Sequence, residues 1–208
     1  MNRSQFVNCG RLRSLRPVLL EWICLNYRYG EMASWQENAW WCNERASTGV
    51  LAGAVWSKGG VALEEYATQK VSKKKLTTGR CDLFIDTGSA RFACEIKQRF
   101  TSLGRGWRGD ISDVRAAFDM ACEDARKLLP NEGRRLAICF ITPSFPAAES
   151  RYADACLDDW IVKMQSLDWD AIAWCFPEKA WRLRWKNGRV YPGVVILIRE
   201  VFKGVRQR

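Results

Sequence analysis

Three side chains in the middle of the chain have the types and spacing to act together. Asp82 opens a short apolar run, Leu83 to Ile85, and Glu95 and Lys97 lie in a second run that begins at Phe92. Leu83 and Ile85 in the first run, and Phe92, Cys94 and Ile96 in the second, recur at alternate positions, which predicts two strands. Thr87-Gly88-Ser89 between them is turn chemistry. Glu95 and Lys97 then share one face of their strand, and pairing about the turn sets Asp82 across from them. Strand interiors avoid Asp, Glu and Lys, and two close carboxylates repel unless a cation neutralises them. Lys97 supplies one positive charge. A divalent metal would supply the rest, and Mg²⁺ is held by one or two carboxylates together with water and substrate phosphates. By strand periodicity alone, the same residues also suit a solvated hairpin face with a cross-strand salt bridge.

The order Gly79-Arg80-x-Asp82-Leu83, a turn, then Glu95-x-Lys97 resembles the core motif of the PD-(D/E)xK nuclease superfamily, whose fold is restriction-endonuclease-like. The resemblance implies that Asp82 and Glu95 bind the metal, with the Ile96 carbonyl as a further donor. It implies that Lys97 positions or activates the water that attacks the phosphodiester, and that Gln98 is an extra active-site residue. The interval of thirteen residues from Asp82 to Glu95 suits one turn between two strands. Cys81 stands where the family name has Pro. Mg²⁺ is the implied cofactor, with Mn²⁺ as a substitute.

Residues 34–57 read as a long helix with Trp40, Trp41, Ser47, Leu51, Ala54 and Val55 on one stripe. Glu44 falls on that stripe, where an unpaired carboxylate is costly. The resemblance implies an extra acid beside the metal on the first core helix, and Glu44 fits that place. Pairing with a neighbouring Arg explains it equally well. Glu37, one turn earlier, is the reserve, and Glu64 and Glu65 are alternative acidic ligands on the strand that follows.

Two basic segments flank the motif. Lys73-Lys74-Lys75 mark a turn, and with Arg80 they are candidates for phosphate contacts that give affinity without sequence readout. Beyond Gln98 a glycine-rich stretch carries Arg99, Arg105, Trp107 and Arg108. Glycine allows close backbone approach, Arg fits phosphate and Trp can stack on a base. Solvated lysines and a Trp107 that caps the core are the plainer alternatives.

The whole composition narrows the chemistry. The chain of 208 residues has no histidine, which excludes Ser-His-Asp and Cys-His catalysis and His-ligated metals. Its nine cysteines are scattered without a C-x-x-C pair, which predicts a reducing cytoplasm and no zinc site. A formal charge of +10 suits an anionic partner, nucleic acid above all. No apolar run is long enough to span a membrane, and the N-terminus lacks a signal-peptide hydrophobic region.

The elements that must position the motif follow in order. Residues 1–33 read as a basic arm and a short helix, and 34–208 as one nuclease-like domain. The core, 34–143, runs helix, three strands, helix, strand, the last one (Leu136 to Thr142) buried on both faces. Residues 144–208 are an extension: a helix from Tyr152, strands at Ala171–Phe176 and Val194–Val201, and a Trp-bearing hairpin turning at Asn187-Gly188. The expected fold class is α/β, with a mixed central sheet flanked by helices. The expected function is metal-dependent hydrolysis of phosphodiester bonds in DNA, with RNA left open, in a defence, restriction or mobile-element system. A homodimer or partner subunits would suit such a role. The alternative is a non-cleaving nucleic-acid-binding or scaffolding subunit of the same fold.

Overall fold

A computed structural model describes residues 4–72, 75–129 and 133–202. The strands are β1 (Gln5–Asn8), β2 (Val61–Ser72), β3 (Lys75–Asp86), β4 (Arg91–Ser102), β5 (Arg134–Pro146), β6 (Ala171–Cys175), β7 (Arg189–Val190) and β8 (Val194–Glu200). The helices are α1 (Arg16–Met32), α2 (Glu44–Ser57), α3 (Ser112–Lys127) and α4 (Ser150–Gln165). The strands form one mixed sheet in the order β1-β6-β8-β5-β4-β3-β2, with β7 paired to β5 off that path. β4 and β5 run parallel, and every other pairing is antiparallel. Parallel neighbours need a crossover, and α3 is that crossover. The predicted order of helix, three strands, helix and strand is therefore the order α2-β2-β3-β4-α3-β5.

The sheet is apolar on both faces. On one, α1 and α2 cover Leu83, Ile85, Cys94, Ile96, Ile138 and Phe140, with Trp22 and Trp40 buried between the layers. On the other, α3 and α4 cover Ala137, Cys139, Ile141 and Leu197, with Phe118 and Trp160 buried. Leu136 to Thr142 is buried throughout, as an enclosed strand requires. At the β3–β4 turn Gly88 takes φ +78 and its N–H donates to Asp86 Oδ1 at 2.8 Å.

Three expectations are corrected. The long helix over 34–57 begins only at Glu44, because extended Asn43 caps it by accepting the Ala46 N–H at 2.9 Å; Trp40 and Trp41 belong to a 3-10 turn before it. Residues 5–8 of the expected basic arm are β1, held to β6 by pairing and by Phe6 stacked on Trp174 at 4.3 Å. The expected hairpin through Trp181 and Trp185 shrinks to a 3-10 turn, Glu178–Arg182, and one bridge, Arg184↔Val190. Its two rings go to different partners, Trp181 stacking on Phe145 and Trp185 on Trp41. No helix among the described residues is long and apolar enough to cross a membrane. All nine cysteines are free thiols.

Candidate functional site

The ladder between β3 and β4 ends at Leu83↔Cys94. One residue further on, the Asp82 side chain takes over the backbone's role, and its Oδ2 accepts the Ile96 N–H at 2.7 Å. The two strands part from there, β3 continuing with β2 alone and β4 with β5. The sheet forks, and the predicted acids stand in the fork.

Glu95 is 2% exposed. Its Oε1 forms an ion pair with Lys70 Nζ on β2 at 2.7 Å. Burial pushes the Glu95 pKa up to about 7; Lys70 opposes the rise, and the negative charges of Asp82 and Asp124 add to it. Lys70 reaches Glu95 by lying across Gly79 of β3, where a Cβ would stand 3.1 Å from Lys70 Cδ. Lys97 Nζ lies 3.0 Å from Asp124 Oδ2 on α3, and Lys127 Nζ lies 2.7 Å from Asp124 Oδ1. Burial alone would lower the Lys97 pKa. The bond to Asp124 and the charges of Asp124, Asp82 and Glu44 outweigh it and hold Lys97 above the ordinary lysine value. Burial likewise raises Asp124, but its two lysines prevail and keep it below the usual carboxylate range.

Glu44 arrives from the opposite layer, as the first residue of α2. Its Oε2 accepts the Gln98 N–H at 3.0 Å. Burial raises its pKa; Lys97 pulls it down and Asp82 pushes it up, so Glu44 shares one electrostatic neighbourhood with the motif. Gln98 is spent on holding α2: its Oε1 accepts from Ser47 Oγ at 3.0 Å and its Nε2 donates to the Trp40 carbonyl at 2.9 Å. Ile96 gives its N–H to Asp82.

A cleft of about 170 Å³ opens at Asp82, lined also by Glu44, Arg45, Thr48, Glu64 and Glu65. Glu64 and Glu65 are successive strand residues, yet both line it. Glu65 takes the left-handed φ of +52, and the ladder steps from Glu64↔Leu83 to Tyr66↔Cys81 around it. Its carboxylate is held by Arg45 at 3.3 Å and Arg80 at 3.1 Å. Glu37 lies apart, beside Tyr29. Among the described residues no three Asp, Glu or Cys side chains converge as a ready-made metal cage. The donors present are nonetheless of the kind Mg²⁺ takes, since it keeps several waters and needs only one or two carboxylates.

The basic candidates divide. Lys73 and Lys74 lie outside the described residues. Lys75 and Arg80 are exposed on β3. Arg99 pairs with Asp113 at 3.1 Å. The 103–110 loop borders a larger cleft, about 550 Å³, lined by Trp107 and Arg108 among others. The Arg105 N–H donates to Glu149 at 2.6 Å. Trp107 packs on the second core and donates its indole N–H to the Asp110 carbonyl. The smaller cleft holds Asp82, Glu44, Glu64 and Glu65, while Glu95 and Lys97 are not among its lining residues.

Sequence reasoning missed Lys70 and Asp124, the partners of Glu95 and Lys97. Gly79 was the available signal for the first: a glycine inside a strand marks a close approach. No family model, curated protein or solved structure matches the chain.

Proposed function

We propose that the chain is a metal-dependent nuclease that hydrolyses phosphodiester bonds in DNA, on a restriction-endonuclease-like core. The observation that carries this reading is the forked sheet, in which Asp82, Glu95, Lys97 and Glu44 gather from two strands and a helix. The element order α2-β2-β3-β4-α3-β5, with β4 and β5 parallel, supports the fold assignment.

Asp82 and Glu95 would hold the cation, with Glu44 as a further carboxylate at the cleft. Bound there, Mg²⁺ would supply charge neutralisation at the phosphate and a water of lowered pKa. Asp82 is oriented for this by the Ile96 N–H. Lys97 is held above the ordinary lysine pKa and so carries its proton at neutral pH. It therefore acts as a fixed positive charge that orients water and stabilises the developing negative charge, and not as a base. Glu95 must lose its proton to ligate, so cation affinity rises as pH climbs through about 7.

One observation favours the non-cleaving alternative. Lys70 and Asp124 already neutralise Glu95 and Lys97 within the chain. The test is cleavage of plasmid and linear DNA with Mg²⁺, with Mn²⁺ and with chelator, beside Asp82→Ala, Glu95→Ala and Lys97→Ala. Metal-dependent cutting that all three substitutions abolish is the expected result. Cutting that survives them overturns the site. Persistent binding without cutting under any condition favours the non-cleaving subunit.

A further inference from the structure

Beyond the fork, residues 66–72 and 75–81 pair with each other across the β2–β3 register, from Tyr66↔Cys81 to Ser72↔Lys75, and the isolated bridge Lys70↔Leu128 ties them to the end of α3. They form a two-stranded ribbon roughly 20 Å long. From Tyr66 to Cys81 the sequence contains no acid, but holds Lys70, Lys73, Lys74, Lys75 and Arg80. The ribbon has two unlike faces. On one, Lys70 reaches in to Glu95 and its backbone bridges to Leu128 after α3. On the other, the pairs Ala67↔Arg80 and Gln69↔Thr78 are exposed, with Leu76 beyond them. This outer face leads into the cleft, because Arg80 is ion-paired with Glu65, which lines the cleft wall beside Asp82.

We infer that the outer face of the β2–β3 ribbon docks in the major groove of double-stranded DNA, with Gln69, Thr78 and Arg80 against base edges. The inference rests on the reading of the cleft as a phosphodiester site. A major groove about 12 Å wide admits a two-stranded ribbon, whereas the deep, narrow major groove of duplex RNA does not. The side chains suit the groove's chemical pattern. Arg fits guanine O6 and N7, Gln fits adenine N6 and N7, and the methyl groups of Thr and Ala meet the thymine methyl. The ribbon has no acid to repel a phosphate backbone, and the net charge of +10 on the chain favours such a polyanion. Seated there, the ribbon sets the adjoining backbone at Asp82.

The test is fluorescence anisotropy on the full chain with Ca²⁺ in place of Mg²⁺. The probes are a duplex DNA pool, the same pool built with 7-deazapurines, which lack the major-groove N7 acceptor, and duplex RNA. Arg80→Ala and the double substitution Gln69→Ala/Thr78→Ala are expected to weaken DNA binding about tenfold or more. The 7-deazapurine duplex should lose a similar factor and duplex RNA more. The double substitution lies on an exposed face and keeps the test valid should Arg80→Ala fail to fold. Wild-type affinity in the double substitution, equal binding of the deaza duplex or of RNA, or no DNA binding at all overturns the inference. A chain that binds in this way yet never cuts DNA refutes the nuclease reading alone. Cutting that is indifferent to the ribbon substitutions refutes the ribbon alone.

Discussion

Ala137 and Cys139 of β5 stand beside Glu95 and Lys97 of β4 in parallel register, and α3 packs over both strands. Four neighbouring positions under one helix thus hold two small apolar groups and two charges. The difference lies in the ladder. β5 is enclosed along this stretch by β4 and β8, so no departing strand opens a way for a new partner to reach a charge placed there. β4 has lost β3 by this point, and the opening admits Asp82 from the departing strand and Lys70 from the one beyond. Charges are tolerated where the sheet forks because the fork brings in their partners. Four substitutions test that contrast.

The largest effect is expected from Ala137→Glu. A carboxylate placed there stands beside the Glu95 carboxylate, while Arg199 across the ladder is already held by Asp168, so the change should cost about 4 kcal/mol or more. Urea denaturation measures this, and a loss under about 1 kcal/mol would erase the distinction between the two strands. Next is Lys70→Met, which leaves Glu95 buried with its nearest cation gone. A loss of about 3 kcal/mol is expected above neutral pH, shrinking in acid as Glu95 takes up a proton. An equal loss at both pH values would mean that Lys70 matters for packing and not for charge.

Glu95→Gln isolates the titration itself. The folded pKa of about 7 is above the ordinary 4.5, so the folded state holds the proton more tightly than the unfolded chain. The contribution of Glu95 to stability is therefore fully present below about pH 4.5 and is lost as pH rises through about 7. Relative to Glu95→Gln, the native chain should lose about 3 kcal/mol across that window. Parallel denaturation curves of the two proteins would remove Glu95 from the pH response. The smallest effect belongs to Gly79→Ala. The new methyl crowds Lys70, while the less flexible unfolded chain offsets the strain, so stability should change by less than about 1 kcal/mol. The informative readout is carboxyl NMR, in which the Glu95 titration should move upward as Lys70 is displaced. An unmoved titration would mean that Lys70 does not need the notch.

The residues that were legible in the sequence are those joined by local geometry. Asp82, Glu95 and Lys97 follow from strand alternation and one turn, and the burial of Leu136 to Thr142 follows from its unbroken apolar run. Lys70 and Asp124 were hidden because each arrives by tertiary pairing. Lys70 comes from two strands away, and Asp124 lies on a helix whose periodicity marks only its buried stripe of Val114, Phe118, Ala121 and Ala125. The start of α2 was misplaced because Trp40 and Trp41 happen to fit the helical spacing, whereas the Asn43 cap decides the boundary. The outer half of the sheet, from β8 to β1, depends on long-range order that alternation does not encode.

Glu65, in its left-handed conformation opposite Asp82, has a consequence for cooperativity. A non-glycine residue held there costs on the order of 1–3 kcal/mol, and the ladder is interrupted at the same place. The sheet proper and the ribbon are thus two folding units joined at a weak seam. Amide exchange should divide at this seam, with residues 66–72 and 75–81 opening together while 61–64 and 83–86 stay protected. The arm can then unzip and close again without melting the sheet that holds the acids.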